Sequence, residues 1–140
     1  MLKPFILFVA TAFVAGSFLS CKSKHDTSTR DLVAGDWSLT HSVRDDNGDG
    51  IMDSTEISLG VRTPSPTYTF VSNGSGYVTL LSNPQYNFTW ELVDNTTIKI
   101  TGSTPTSTPT TTTIDKLTAT DMTLKETTSS LTSWGLFKKK

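Results

Sequence analysis

Apolar residues at every second position, in short segments separated by turn residues, constrain the fold of this chain more than any other feature. The clearest segment is 86–92, where Tyr86, Phe88, Trp90 and Leu92 alternate with polar residues. A period of two is typical of a strand with one buried face. About eight such segments follow one another from Leu32 onward, and almost none has a helical period. The sequence therefore predicts an all-β domain, a small antiparallel up-and-down barrel or a sandwich.

Turn residues separate these segments at the positions where hairpins would need them. Ser72–Gly76 and Asp94–Thr96 are rich in Asn, Asp and Gly, the residues that tight turns favour. The Thr-, Ser- and Pro-rich segment 102–112 is predicted to be a long hairpin loop or a low-complexity insert. Consecutive strands are therefore expected to pair with one another.

Segment 45–56 matches the twelve-residue calcium loop of EF-hand proteins position by position. Such a loop supplies oxygen ligands from positions 1, 3, 5, 7, 9 and 12 and has glycine at position 6. The residues at those positions here are Asp45, Asn47, Asp49, the backbone carbonyl of Ile51, Asp53 and Glu56, with Gly50 as the glycine. Five carboxylates in this segment repel one another unless a cation lies among them. The alternative is a hydrophilic connector built from ordinary turn residues.

The flanks of this loop differ from those of a calcium sensor. An alternating strand pattern, with Trp37, Leu39, His41 and Val43 on one face, precedes it, and two prolines and a glycine in 58–66 follow it. The chain has one such loop and not a pair. We therefore expect calcium to stabilise a connection between strands, as in extracellular modules with dissociation constants of about 10⁻⁴ to 10⁻³ M.

Residues 1–20 have the three parts of a secretory signal peptide. Lys3 gives a basic start, an apolar run follows from Phe5 to Ala15, and small residues precede Cys21. The run is too short for a membrane span, which takes about 20 apolar residues. Segment 18–21 resembles the bacterial lipobox, which implies cleavage before Cys21 and attachment of acyl chains that anchor the protein to the membrane. The alternative is an ordinary signal peptide that leaves a free thiol.

Residues 21–30 are predicted to be a lipidated, flexible tether because they are polar and lack apolar periodicity. Lys22 follows Cys21, so the aspartate that retains some lipoproteins at the inner membrane is missing. We therefore expect an outer-membrane lipoprotein, on either the periplasmic or the cell-surface face.

Composition argues against several functional classes. Cys21 is the only cysteine, so a mature chain with a lipidated Cys21 has no disulfide, thiolate metal site or cysteine nucleophile. With Lys3 removed in the signal peptide, eleven of the twelve Lys and Arg residues remain against thirteen Asp and Glu, a formal charge of −2 that does not favour nucleic acid. The chain has no nucleophile elbow, phosphate loop or zinc motif, and we expect no enzyme activity.

Several segments together are similar to the lipocalin-like domain of Bacteroidota lipoproteins. They are Leu32–Leu39, Tyr68–Phe70, Asn73–Gly76, Phe88–Leu92, Ile114–Leu117 and Met122–Lys125. The resemblance implies a lipocalin-like barrel of about eight strands in residues 31–140. Gly35 and Trp37 match the Gly-x-Trp of lipocalins, in which the Trp packs across the closed end of the barrel. An arginine covers that Trp in lipocalins, and Lys138 is its nearest counterpart here.

Two functions are compatible with such a domain. The first is a monomeric, non-catalytic binding module for a small apolar or glycan ligand, with His41, Tyr86, Phe88 and Trp90 as candidate ligand-binding residues on the inward face. The second is a structural or accessory lipoprotein whose aromatic residues fill the barrel and whose surface binds a protein partner.

Overall fold

A computed structural model of the protein describes residues 28–140, which form a closed eight-stranded barrel. The strands are β1 (Gly35–Arg44), β2 (Thr67–Phe70), β3 (Ser75–Leu80), β4 (Asn83–Asp94), β5 (Thr97–Gly102), β6 (Thr110–Leu117), β7 (Asp121–Thr127) and β8 (Thr132–Lys139). Each strand pairs antiparallel with the next, and β8 pairs with β1. The predicted all-β, up-and-down barrel is confirmed, and its closure excludes the sandwich. The signal peptide, Cys21 and the tether up to residue 27 lie outside the described residues.

Two short helices accompany the barrel, α1 (Thr29–Val33) and α2 (Ser54–Leu59). Neither helix of the described residues is long and apolar enough to cross a membrane. Helix α1 packs where the odd-numbered strands begin, and we call this the closed end. The other end, called the open end, carries the connections 45–66, 81–82, 103–109 and 128–131.

Inward-facing aromatic and aliphatic side chains fill the barrel from its closed end. The buried core consists of Val33, Trp37, Phe70, Val78, Phe88, Trp90, Ile98, Ile114, Met122, Leu124 and Phe137. The Phe70 ring meets the Phe88 and Trp90 rings edge-on, at centroid distances of 5.2 and 5.7 Å. Such edge contacts are a preferred arrangement of aromatic pairs. The barrel is therefore solid through most of its length.

Helix α1 seals the closed end through backbone and side-chain contacts. The fully buried Trp37 donates its indole N–H to the carbonyl of Val33 at 2.7 Å. The Lys139 ammonium lies 5.0 Å from the centroid of the Trp37 ring and donates to the carbonyl of Leu32 at 3.2 Å. A cation over an indole face is attracted by the ring quadrupole. Lys139 therefore covers the tryptophan.

The sequence predicted that Lys138 would take the place of the arginine that covers this Trp in lipocalins, whereas Lys139 covers Trp37 in the structure. Lys138 pairs with Ser38 in the register of β8 and β1 and makes a salt bridge to Asp121 on the outer face. Successive residues of a strand point to opposite faces, so Lys139, and not its neighbour, lies on the same side as Trp37.

Helix α1 begins within the segment that the sequence analysis assigned to the tether. Ser28 accepts a hydrogen bond from the Asp31 N–H and caps α1, so Thr29 and Arg30, assigned to the tether, are helical. The Arg30 guanidinium lies 4.8 Å from the Trp90 ring centroid and donates to the carbonyl of Ser72 at 2.9 Å. These contacts hold α1 against the barrel.

A bulge in β1 reverses the side-chain facing that was expected for the second half of the strand. Leu39 pairs with Phe137, whereas His41 pairs with Leu136, so Thr40 is the extra residue. A bulge shifts the alternation by one position. His41 therefore faces outward, and the prediction that it shares the inward face with Leu39 is wrong.

The β1–β2 connection returns along β1 and completes its edge. β2 has only four residues, so it leaves the open-end half of β1 without a partner. Segment 60–66 fills this gap: Ser42 N–H donates to Gly60, Arg62 N–H to Thr40, and Leu39 N–H to Pro66. The same connection carries both the predicted calcium loop and a wall of the open end.

Candidate calcium loop and barrel mouth

The first half of the loop 45–56 is held by hydrogen bonds from its backbone to its own side chains. The Asp45 carboxylate accepts from the N–H groups of Gly48, at 2.6 Å, and Gly50, at 2.8 Å. Asn47 Oδ1 accepts from the N–H two residues on at 3.0 Å, and Asp49 Oδ1 does the same at 2.8 Å. The oxygens at positions 1, 3 and 5 are thereby turned toward the loop's own backbone.

Glycine is needed at two positions of this loop. Gly48 and Gly50 have φ values of +76° and +74°. This left-handed region is costly for residues with a Cβ atom. Gly50 is therefore at the sharp turn that the sixth position of a calcium loop requires.

The second half of the loop runs into α2 through a reciprocal cap. Asp53 accepts from the N–H groups of Thr55 and Glu56 at 2.7 and 2.9 Å. Glu56 in turn accepts from Asp53 N–H at 3.2 Å through one oxygen and from Asp46 N–H at 2.9 Å through the other. Glu56 is only 6% exposed. Its carboxylate thus joins the start of the loop to its end, and the hydrogen bonds offset the cost of burying it.

The donor set fits a hard cation in type and order but is not gathered around one point. Carboxylate, amide and carbonyl oxygens are the ligands that Ca²⁺ takes. Within residues 28–140, however, no group of three or more His, Cys, Asp or Glu side chains could hold a metal ion as it stands. A cation would have to draw the carboxylates together from their backbone N–H partners.

Lys125 fastens the loop to the outer face of the barrel. Its ammonium donates to the carbonyl of Gly50 at 3.3 Å and lies 5.3 Å from the Trp134 ring centroid. The Trp134 indole N–H donates to Asp115 at 3.2 Å, and the residue is 3% exposed. Lys125 on β7 therefore connects the loop to the buried Trp134 side chain on β8. No sequence pattern predicts this contact, because Lys125 lies 75 residues away from Gly50.

Two of the candidate ligand residues are part of the core. Phe88 and Trp90 are each 3% exposed. The Trp90 indole N–H is shared between the carbonyls of Val71, at 2.9 Å, and Ser75, at 3.0 Å, near the closed end. Neither ring lines the cavity described below.

The other two candidates lie outside the barrel interior or at its rim. His41 faces outward beside a shallow cavity of about 250 Å³ on the side of the barrel. Tyr86 is 50% exposed and donates its hydroxyl hydrogen to the Tyr68 hydroxyl at 3.2 Å. Burial, with this hydrogen bond second, raises the pKa of the Tyr86 hydroxyl above its ordinary value. Tyr86 therefore stays neutral at physiological pH.

The open end contains a small cavity that we call the mouth. It has a volume of about 190 Å³, and its lining residues include Leu39, Tyr68, Leu124, Glu126 and Phe137. It adjoins a groove of about 400 Å³ walled by Arg62, Pro64, Pro66 and Leu80, among others. Leu39, Ser42 and Tyr68 line both spaces. Alternation from Trp37 and Phe70 could have identified Leu39 and Tyr68 as inward-facing, but not their position at the mouth.

Gly135 contributes to the room in the mouth. It pairs with Ser42 and Leu124, and a Cβ atom built on it would lie 2.8 Å from Phe137 Cε2 and 3.3 Å from Leu39 Cδ1. Any side chain here would have to displace the Phe137 ring. The mouth therefore depends on a residue without a side chain in β8.

Comparisons of the chain with protein-family models, with curated protein sequences and with solved structures found no match.

Proposed function

We propose that this protein is a lipid-anchored, non-catalytic barrel of lipocalin-like type that binds Ca²⁺ through the loop 45–56. The observation that carries the proposal is the arrangement of this loop: side-chain oxygens at positions 1, 3, 5, 9 and 12 all accept hydrogen bonds from within the loop or its α2 cap, and glycines hold its two left-handed positions. The ligands would be Asp45, Asn47, Asp49, the carbonyl of Ile51, Asp53 and Glu56.

Calcium affinity is expected in the weak range of extracellular modules. Bringing the carboxylates together costs the loop some of its present hydrogen bonds, and the Lys125 ammonium already lies at the Gly50 carbonyl. Both effects oppose binding of a cation. Ca²⁺ is preferred to Mg²⁺ because a flexible loop with a bidentate glutamate suits the larger ion.

Calorimetric titration of Ca²⁺ into chelator-stripped protein tests this site. The sample is the mature chain from residue 21 with Cys21→Ser, which is free of detergent and keeps all of residues 28–140. If calcium binds only the folded state, an approximately 100-fold excess over Kd adds about 2.7 kcal/mol to the free energy of unfolding. Asp45→Asn should remove both the heat and the stabilisation, and Glu91→Gln, on the outer face of β4, should remove neither. Folded protein that gives no heat at millimolar Ca²⁺ would reject the calcium site.

The lipid anchor is proposed from the lipobox-like segment ending at Cys21. We expect acyl chains on this residue to hold the protein at the outer membrane, facing the periplasm or the cell surface. Metabolic fatty-acid labelling and membrane fractionation test this, with Cys21→Ala as the unlabelled variant. A wild-type chain that takes up no label and fractionates as a soluble protein would reject the anchor.

At the membrane the barrel acts as a binding module whose small apolar or glycan ligand enters the mouth. The cavity of about 190 Å³ among Leu39, Tyr68 and Phe137 supports this function. The alternative function is an accessory lipoprotein that binds a protein partner. The packed core, which fills the barrel from its closed end, favours this alternative. Mass spectrometry of protein gently purified from membranes distinguishes them: a retained small molecule supports the first, and a co-purifying polypeptide without a small molecule supports the second.

A further inference from the structure

Glu126 is the charged side chain of the mouth, and the alternation of β7 places it there. Met122 and Leu124 belong to the buried core, so Glu126, two residues further, lies on the same inward face. It pairs with Ser133 and lines the cavity with it. Its position near the end of β7 puts the carboxylate at the rim, above the apolar walls.

The Glu126 carboxylate differs from other acidic groups of the described chain in having no partner there. Glu56 accepts two backbone N–H groups, Glu91 pairs with Lys99, and Asp121 pairs with Lys138. Within residues 28–140, no hydrogen bond or salt bridge reaches the side chain of Glu126. A half-buried carboxylate without a partner loses part of its hydration, and a bound cation would offset that loss.

The walls below Glu126 are apolar and aromatic. Tyr68 and Phe137 meet edge-on at a centroid distance of 5.3 Å, and Leu39 and Leu124 complete the wall. The cavity is closed underneath by the filled core and is too small for a long acyl chain. It suits a short alkyl group or a single ring, with its polar end directed to the rim.

Charge at the open end also favours a cationic ligand. The five carboxylates of the loop 45–56 lie at this end, and Arg44 and Lys125 offset only part of their charge. Arg62 lines the adjoining groove and is exposed, so solvent screens its repulsion of a cation at Glu126. A negative field concentrates cations at a cleft.

We propose that the mouth selects small amphipathic amines, with the apolar body packed against the Tyr68 and Phe137 rings and the ammonium hydrogen-bonded to Glu126. This inference rests on the proposed function of the mouth as a binding site and narrows its ligand class from small apolar or glycan molecules to small amphipathic amines.

Calorimetric titration with three probes of matched size tests the inference on the mature Cys21→Ser chain. The probes are 2-phenylethylamine, 2-phenylethanol and 3-phenylpropanoate, each added with calcium present and absent. We expect the amine to bind about tenfold more tightly than the alcohol, because a hydrogen bond to a charged group adds to the shared apolar contacts. The carboxylate should bind more weakly than the alcohol.

Two variants localise the effect. Glu126→Gln should bring the affinity for the amine down to that for the alcohol and leave the affinity for the alcohol unchanged. Glu91→Gln removes the same charge from the outer face of β4 and should preserve the full preference. An alcohol that binds as tightly as the amine to the wild type, or a preference that survives in Glu126→Gln, would overturn the amine selection and leave the binding module standing. Absence of binding by all three probes would overturn both the inference and the ligand-binding role of the mouth. This outcome would leave the proposed calcium site unaffected, because a separate titration tests that site.

Discussion

The two ends of the barrel use their polar groups in opposite ways. At the closed end, the Trp37 indole N–H, the Lys139 ammonium and the Arg30 guanidinium each donate to a carbonyl of a distant or capping segment. At the open end, the carboxylates of the loop 45–56 accept mainly from the loop itself, and Glu126 has no partner among the described residues.

This difference indicates a division of roles. Groups that donate to another segment of the barrel hold the fold together and are not available to a ligand. Groups that are paired only within their own loop, or have no partner, can exchange those partners for a cation. The predictions below test this division by changing one end at a time.

Truncation of Trp37 should have the largest effect on stability. The residue is fully buried, and Trp37→Ala removes its packing and leaves the Val33 carbonyl without its indole donor. We expect a loss of about 3–5 kcal/mol in the free energy of unfolding by denaturant titration. Tyr86→Ala at the rim should cost about 1–2 kcal/mol, because that side chain is half exposed. Equal losses at the two positions would contradict the division of roles.

Replacement of the two glutamates of the open end should separate a carboxylate with backbone partners from one without a partner. Glu56→Gln keeps one acceptor oxygen but loses the other bond to Asp46 or Asp53, and we expect a cost of about 1–2 kcal/mol without calcium. Glu126→Gln should change stability by less than about 0.5 kcal/mol. Denaturant titration in chelator measures both, and a larger cost for Glu126→Gln would show that Glu126 has a structural partner.

Adjacent lysines at the end of β8 should differ in their contribution to the closed end. Lys139→Met keeps the length of the side chain but removes the cation from the Trp37 ring, and we expect a loss of about 0.5–1 kcal/mol. Lys138→Met breaks a surface salt bridge to Asp121 and should lower stability less than Lys139→Met does, because solvent screens the pair. Thermal denaturation of both variants measures which substitution lowers stability more. A larger loss for Lys138→Met would indicate that Lys138, and not Lys139, covers Trp37.

The smallest expected effect is a pH dependence at Asp121. The hydrogen bond from Lys138, with a second from the Thr120 hydroxyl, lowers the pKa of Asp121. Since the folded-state pKa lies below the unfolded value of about 3.9, the associated stability is present above that value and is lost as pH falls through the folded pKa. Asp121→Asn should lessen the decline of the melting temperature below pH 4. An identical decline in the variant and the wild type would contradict this contribution.

The strands were predictable from sequence, but the arrangement of the open end was not. Alternation in segments such as 86–92 depends on neighbouring residues, and consecutive pairing follows from the short turns, so the barrel could be derived. The bulge at Thr40 leaves no comparable signal, and it turned His41 away from the interior. The positions of Glu126 and Lys125 depend on residues that the closure of the barrel brings together. The calcium-loop pattern could be recognised because its twelve positions lie within one continuous segment.

Hydrogen exchange with and without calcium tests the division between the two ends most directly. Calcium that binds only the ordered loop raises the free energy of opening segment 45–56, so exchange of its backbone amides should slow, whereas amides of 29–38 at the closed end should exchange at the same rate in both conditions. Mass spectrometry of peptic fragments resolves the two regions. Unchanged exchange in 45–56 at saturating calcium, or protection centred on the closed end, would contradict the account.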